Sequence, residues 1–420
     1  MSANRVGVTP VLATGMLATG EDGDMTWLTG AGPLINEAAE ALGRSPDPLS
    51  AASALRKRHP DLPRDRAAQV LEQAHLRIAA RDRHGRLDAE DLLLTRDGLE
   101  QGTRGDIAAR RADLLRRAGA RRVVDLTAGL GFDARAFADA GLTVTAIEHD
   151  ADTAALLAWN LRHWPEAEVV VVDATSPQVA SLIAQLAPTD VVFVDPARRD
   201  PTGPRDLGTG RARPERDPQR WSPPVSFVTS LDHPRVVMKA APAFSPPAGW
   251  HAEWLSHQRT ILECTAWSWP EFDAPRRAVV MGAAPTVVEP GPPGIRAGRL
   301  GTFLHEPDPA IIRAGLLTEV GLAYVDHEST WLTGDDPVPP DLAPALRTFR
   351  VIQLLDGSTA EQRRALADQN VTRMVIKSRD VDVDPRKELA RLQVSEGGDH
   401  VLVMTRRDGR TISALTQPVA

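Results

Sequence analysis

The chain has 420 residues, of which 42% are hydrophobic and 25% charged, and its formal net charge is −7 at pH 7. This length predicts about two to four domains, and the net charge gives no general attraction to nucleic acid. The single cysteine, Cys264, excludes an intrachain disulfide and a cysteine-rich zinc site, so we expect no metal. No apolar run reaches the length of a membrane span, and the N-terminus is a poor signal peptide. We therefore expect a cytoplasmic protein without a membrane contact.

The first part of the chain is predicted to be helical after a loose start. We expect residues 1–25 to be loose and residues 26–94 to form a helical region, because residues 63–82 carry apolar side chains at helical spacing. Residues 95–119 predict a further helix that leads into the first strand. Three glycines interrupt the first half of that helix: Gly98, Gly102 and Gly105.

Four short apolar runs follow, and each ends in an acidic residue. The runs are rich in Val or Ile and are separated by helical stretches, which predicts buried parallel strands alternating with helices. They lie at 123–125, 143–148, 169–173 and 191–195 and end at Asp125, Glu148, Asp173 and Asp195. The pattern predicts the α/β class with a doubly wound, mostly parallel sheet. Because such strands end at one crevice, the four acids should converge on a ligand with cationic or hydroxyl groups.

The glycine-rich turn at 129–134, GLGFDA, leaves two ligands in competition. It satisfies the dinucleotide fingerprint, and Glu148 lies near the position of a ribose-binding acid. Asp125 and Asp133 argue against a dinucleotide, because carboxylates at these places repel a pyrophosphate. The same acids suit S-adenosylmethionine. Each acid taken alone is also explained as an ordinary strand-end or helix-capping residue.

Several motifs together resemble a known family. DLTAGLGFD at 125–133, the acids Glu148 and Asp173, and DPARRD at 195–200 resemble a class I S-adenosylmethionine-dependent methyltransferase. Later segments resemble the ferredoxin-like and THUMP-like domains that one bacterial family of such enzymes carries. The segments that carry this resemblance are 303–336 and 374–392. The resemblance implies three domains, which we place at 95–285 (methyltransferase, Rossmann-like), 286–345 (ferredoxin-like) and 346–420 (THUMP-like, a small α+β module).

The resemblance also implies the residues that bind S-adenosylmethionine. Asp125 is expected near the methionine end of the cofactor, Glu148 on both ribose hydroxyls and Asp173 near the adenine amine. The full predicted set is Asp125, Thr127, Gly129, Gly131, Asp133, Glu148, Asp173 and Ala174.

Methyl transfer needs an aligned nucleophile more than it needs reactive side chains. We predict Asp195 and Pro196 as the catalytic residues: Asp195 holds an acceptor amine, and the Pro196 carbonyl adds a second contact. The alternative is that Asp195 caps the segment after it. No aromatic residue follows DPARR to stack on a flipped base, so methylation of a base amine is left open.

Further substrate contacts are predicted from basic residues. Arg198 and Arg199 can grip a phosphate or carboxylate or pair with nearby aspartates, and Lys239 is either a substrate contact or a lysine at the edge of the core. Residues 201–224 form a long loop rich in Pro, Gly and Arg. In the C-terminal segment, Lys377 and Arg379 are predicted to bind RNA.

The C-terminal segment is predicted to be a compact module. Its expected strands are 351–355, 372–378 and 400–406, and its expected helices are 359–369 and 385–392. Lys377, Arg379, Arg386 and Lys387 can form one basic edge there, although three aspartates lie between them in sequence. The resulting prediction is a methyltransferase that acts on ribosomal or transfer RNA. The alternatives are a methyltransferase acting on a protein or small molecule, and a non-catalytic cofactor-binding module that binds RNA or another partner.

Overall fold

The computed structural model describes residues 26–44, 47–84, 92–198 and 215–419. The predicted loose segment 1–25, Arg199 and most of the long loop after it lie outside the described residues. The chain divides into two compact units. The first unit comprises the chain up to Lys239 together with Trp267–Glu271. The second unit comprises Ala240–Ala266 and the chain from Phe272 onward. None of the described helices is both long enough and apolar enough to cross a membrane.

Twelve helices and seventeen strands occur among the described residues. The helices are α1 (Gly32–Arg44), α2 (Pro48–Arg58), α3 (Arg64–His84), α4 (Arg96–Gln101), α5 (Gly105–Arg117), α6 (Phe132–Asp139), α7 (Ala151–Asn160), α8 (Pro177–Ile183), α9 (Val225–Thr229), α10 (Pro309–Arg313), α11 (Thr359–Asp368) and α12 (Pro385–Leu392). The strands are β1 (Arg122–Asp125), β2 (Thr143–Glu148), β3 (Glu168–Val171), β4 (Val191–Val194), β5 (Val236–Ala240), β6 (His251–His257), β7 (Thr260–Trp267), β8 (Arg276–Met281), β9 (Thr286–Val288), β10 (Phe303–Pro307), β11 (Ala323–Tyr324), β12 (Leu332–Gly334), β13 (Leu346–Leu354), β14 (Arg373–Ser378), β15 (Ser395–Glu396), β16 (His400–Arg407) and β17 (Arg410–Pro418).

The first unit contains a helical region followed by a parallel sheet. Helices α1 to α3 share an apolar core that includes Ile35, Val70 and Leu93. The sheet order is β3-β2-β1-β4-β5, and its neighbouring strands are parallel. The order reverses between β1 and β4, which is where ligands bind in doubly wound sheets. The predicted α/β fold is confirmed.

The helix predicted over 95–119 is divided into α4 and α5. Two of its glycines approach the glycine-rich turn too closely for any side chain. A Cβ on Gly98 would overlap Leu130, and one on Gly102 would lie 2.5 Å from the Phe132 ring. Helix α4 ends before Gly102, whose ψ is 138°, and Thr103 then contacts Lys239 of β5.

The second unit contains a mixed sheet, in which most neighbouring strands are antiparallel and β14 is parallel to β15 and β16. This eight-stranded sheet has the order β11-β12-β10-β13-β17-β16-β14-β15. The five elements predicted in the C-terminal segment are present as β13, α11, β14, α12 and β16. Strand β17 was not predicted. It pairs with β16 through a tight turn in which Asp408 and Gly409 both have positive φ, the conformation that favours Asp-Gly.

Candidate active site at the strand ends

The four predicted acids lie at or just beyond the carboxyl ends of four neighbouring strands. Asp125 and Glu148 are the last residues of β1 and β2, and both are buried. Asp195 directly follows β4 and is half-buried, and Asp173 follows β3 by two residues and is exposed. The sheet thus places all four acids along one edge, with the central ones most withdrawn from water.

Asp125 is the most electrostatically perturbed of these acids. Burial raises its pKa well above the usual value, and the negative charges of Asp133, Asp195 and Glu148 raise it further. The backbone N–H of Thr127 opposes this rise in the pKa, because it donates a hydrogen bond to Asp125 Oδ1 over 3.1 Å. Because each of these acids disfavours ionisation of Asp125, a bound cation would stabilise the group as a whole.

Glu148 ties the glycine-rich turn to the end of β2. The Gly129 N–H donates to Glu148 Oε2 over 3.0 Å, and the Asp150 N–H donates to Oε1 over 2.9 Å. Gly131 begins α6 with φ +86°, and a Cβ there would lie 2.6 Å from Leu157 Cδ1. The turn therefore requires glycine for both conformation and space.

Asp133 lies at the start of α6 and is buried against two residues that the sequence did not single out. The Thr103 hydroxyl donates to Asp133 Oδ2 over 2.5 Å, and Arg111 pairs with Oδ1. The Arg111 guanidinium also lies 5.1 Å from the centre of the Phe193 ring. Its position on the buried face of α5, four residues after Ile107, is a signal in the sequence that would have identified it.

Asp195 forms an ion pair with Lys239, which settles the position of that lysine. The Lys239 Nζ lies 2.5 Å from Asp195 Oδ2, with 8% of the lysine side chain and 28% of the aspartate side chain exposed. The same Nζ donates to Thr103 Oγ1 over 2.9 Å. The Asp195 N–H donates to Thr127 Oγ1 over 2.7 Å. A chain of polar contacts thus runs from Asp195 through Lys239 and Thr103 to Asp133.

The segment after Asp195 is held by residues in the last part of the long loop. Pro196 is buried, and Ala197 forms an antiparallel bridge with Ser222. Arg198 is half-buried, and its carbonyl accepts from the Glu215 N–H over 2.6 Å. The polypeptide directly after the predicted acceptor-binding acid is therefore anchored.

Asp173 and Ala174 lie at the outer side of this edge. Hydrogen bonds from the hydroxyl and the backbone N–H of Thr175 lower the pKa of the Asp173 carboxyl. It remains an ionised acceptor near neutral pH, as an adenine amine would require.

The other predicted substrate residues belong to the second unit. Lys377 and Arg379 both contact the buried Glu306. Arg386 and Lys387 are exposed in the first turn of α12. Glu306 thus engages two of the four residues that were predicted to form one basic edge. In the described part of the chain, no three His, Cys, Asp or Glu side chains are grouped so that they could hold a metal ion.

The chain is similar to known proteins over most of its length. Residues 346–418 match the family described as THUMP domain-like. Two proteins from Mycobacterium tuberculosis strains, each named as an uncharacterized S-adenosylmethionine-dependent methyltransferase, are 27% identical over 371 residues. The match covers 84% of this chain and 96% of each relative. The structure of a candidate methyltransferase from Porphyromonas gingivalis W83 is 18% identical, with a TM-score of 0.64, over 86% of this chain and 92% of that one.

The fold and the relatives together define a class I methyltransferase. More particularly, this chain is a class I methyltransferase with a THUMP-like domain at its C-terminus, as its motifs predicted.

Proposed function

We propose that this protein methylates RNA, with ribosomal or transfer RNA of the cytoplasm as the substrate class. S-adenosylmethionine is its methyl donor, in line with the names of its relatives. The observation that carries the transfer step is the ion pair between Asp195 and Lys239 at the end of β4, and the THUMP-like match over residues 346–418 supports RNA as the acceptor. In the division of labour that we propose, residues 95–285 carry out the transfer and residues 346–420 hold the RNA.

The residues of the crevice fit this cofactor. The ionisable groups described above at the strand ends include four acids, Asp125, Asp133, Glu148 and Asp195, and two cations, Arg111 and Lys239. A sulfonium with an amino group suits that excess of negative charge. We assign Asp125 to the amino group, Glu148 to the ribose hydroxyls and Asp173 to the adenine amine. Thr127, Gly129, Gly131, Asp133 and Ala174 complete the predicted set, with Asp133 acting through its contacts to Thr103 and Arg111.

When bound, the cofactor supplies an electrophilic methyl group. The protein has to hold the acceptor in line with it and exclude water. We assign the first task to Asp195: Lys239 occupies Oδ2 and orients the carboxylate, and Oδ1 accepts a hydrogen bond from the acceptor. Thr127 fixes the Asp195 backbone, and the buried Pro196 limits the movement of the turn.

RNA as the acceptor is supported by two features. The THUMP-like match covers residues 346–418, and the second unit presents arginine and lysine side chains around Glu306. Arg198, which follows the acceptor-binding acid by three residues, is a third candidate contact for a phosphate.

Transfer of a labelled methyl group tests the proposal. The purified protein is incubated with methyl-labelled S-adenosylmethionine and with extracts from a strain that lacks the gene. We expect label that ribonuclease removes and protease does not, and no label with Asp195→Ala. Label in the protein or small-molecule fraction would instead support those acceptors. Cofactor binding without transfer to any fraction would support a non-catalytic module.

A further inference from the structure

A buried carboxylate in the second unit collects cations from separate parts of the chain. Glu306, in β10, has 3% of its side chain exposed. Lys377 Nζ lies 3.0 Å from both of its oxygens. Arg379 Nη2 lies 3.1 Å from Glu306 Oε1, and Arg259 Nη2 lies 3.4 Å from Glu306 Oε2. Arg259 belongs to the β6–β7 turn, so residues more than one hundred positions apart meet on one acid.

The cations around Glu306 outnumber the acids. Arg347 of β13 is the partner of Glu306 in the β10–β13 pair, and the repulsion of Arg347 and Arg379 is among the influences that lower the pKa of Arg259, after that of burial. Asp308, which caps α10, is the second acid that acts on Arg259. The cluster therefore contains four cations and two acids.

The aspartates that interrupt the basic residues in sequence make other contacts. Asp380 accepts from the backbone and hydroxyl of Thr330, over 2.8 and 2.9 Å. Asp384 caps α12 by accepting from the Arg386 and Lys387 N–H groups. These hydrogen bonds engage two of the acids that the sequence suggested would neutralise Lys377 and Arg379.

Three of the cations contact Glu306, and all four remain at least partly exposed to solvent. The exposed fractions of the Arg259, Lys377 and Arg379 side chains are 30%, 24% and 30%, and Arg347 is exposed. Glu306 fixes the ends of three flexible side chains, so less conformational entropy is lost when an anion binds to them. The planar guanidinium groups of the arginines match phosphate oxygens, and the Lys377 ammonium adds a point charge.

We infer that Arg259, Arg347, Lys377 and Arg379, assembled over Glu306, form a cradle for backbone phosphates of the RNA substrate. This inference rests on the proposed function, because it takes RNA as the polyanion. An open set of cations from β13, β14 and the β6–β7 turn suits a continuous phosphate chain better than a single small anion. The cradle adds Arg259 and Arg347, and it excludes Arg386 and Lys387 from the main contact.

A matched pair of double variants tests the cradle in the full-length protein. Arg347→Gln with Arg379→Gln removes two cradle cations and leaves Lys377 and Arg259 on Glu306, so the carboxylate stays neutralised. Arg386→Gln with Lys387→Gln removes the same charge from α12. RNA binding is measured across a salt series, and thermal unfolding and S-adenosylmethionine binding are measured as controls. If the cradle pair does not fold, Arg347→Gln alone is compared with Lys387→Gln.

We expect the cradle variant to bind RNA about tenfold more weakly, with a salt slope that is shallower by about 0.7 for each lost phosphate contact on a single strand. The α12 variant should lose much less affinity. Equal losses of RNA affinity in the two variants, or no loss in either, would overturn the cradle. RNA binding by the wild type would in that case still support the proposed function. Failure of the wild type to bind RNA would overturn both.

Inorganic phosphate at matched ionic strength separates a polyanion from a free anion. We expect it to compete with RNA only weakly. Tight binding of inorganic phosphate by the wild type, lost in the cradle variant, would assign the cations to a small anion and overturn their assignment to RNA.

Discussion

The strand-end crevice of the first unit and the cradle of the second are built from the same pair of groups, a carboxylate and a lysine, with opposite balances of charge. In the crevice, Lys239 meets Asp195 within a network that has more carboxylates than cations. In the cradle, Lys377 meets Glu306 within a cluster that has more cations than acids. The pairing alone therefore does not indicate the ligand.

The sign of the remaining charge does indicate it. A network with spare carboxylates favours a cationic ligand, and a cluster with spare guanidinium groups favours an anion. In the proposed function, this difference matches the cofactor to the first unit and the polyanion to the second. Changes that remove charge from one network should consequently leave the ligand of the other unaffected.

The largest expected effect is at Asp195. Asp195→Ala should lower turnover by about 100- to 10,000-fold, the usual range for a group that holds or relays a proton at the reacting atom. S-adenosylmethionine affinity should be nearly unchanged, because the loss concerns the acceptor. Turnover is measured at saturating cofactor, and binding is measured by calorimetry. An equal loss of cofactor binding would make Asp195 a structural residue.

Glu148 should control the cofactor. We expect Glu148→Ala to weaken S-adenosylmethionine binding by about 2–3 kcal/mol, the scale of hydrogen bonds to a charged group. Asp152→Ala, which removes an exposed acid from α7, is the charge-matched control. RNA affinity should stay the same in both variants. Unchanged cofactor affinity in Glu148→Ala, or tight binding of NAD in place of S-adenosylmethionine, would contradict the assignment.

Lys239 should act through Asp195, as a positioning residue. Lys239→Met should lower turnover by about tenfold, because the carboxylate loses the contact that orients it. Lys239→Arg, which keeps a cation at this position, should retain more turnover at saturating S-adenosylmethionine than Lys239→Met. Equal turnover losses in the two variants, with equal losses of thermal stability, would show that Lys239 serves stability alone.

The smallest expected effect is a pH dependence of cofactor binding that comes from Asp125. Its raised pKa means that the folded protein keeps a proton on this carboxyl above the usual aspartate pKa of 3.8. A bound amino group favours the ionised form, so binding should release a proton and affinity should rise with pH by up to about tenfold per unit.

The heat of S-adenosylmethionine binding is measured by calorimetry for the wild type and for Asp125→Asn. Each protein is measured in two buffers with different ionisation enthalpies. The wild type should show proton release, and the variant should not. By the same linkage, the contribution of Asp125 to folding stability should fall as pH rises from 3.8 towards its raised pKa. Buffer-independent binding heats in the wild type would count against a role at the amino group.

Local sequence patterns were sufficient for the sheet and its acids. Asp125, Glu148, Asp173 and Asp195 each end or follow a short apolar run, and the parallel sheet brings such ends together. The C-terminal elements were also predicted, apart from β17, which the Asp408–Gly409 turn signal would have supported.

Contacts between distant segments could not be predicted. Thr103 joins Lys239 across 136 positions of sequence, and the choice between a substrate contact and a core lysine depended on that geometry. Arg259 reaches Glu306 from a turn with no distinguishing motif. In each case the side chains are ordinary, and only the tertiary fold gives them a partner.

Mass spectrometry of RNA nucleosides tests directly whether this protein methylates RNA. RNA is compared from cells that lack the gene and from the same cells supplied with the wild-type protein, with Asp195→Ala or with the cradle variant. We expect one methylated nucleoside that is absent without the gene, restored by the wild type, not restored by Asp195→Ala and reduced with the cradle variant. Identical nucleoside profiles with and without the gene would contradict this expectation.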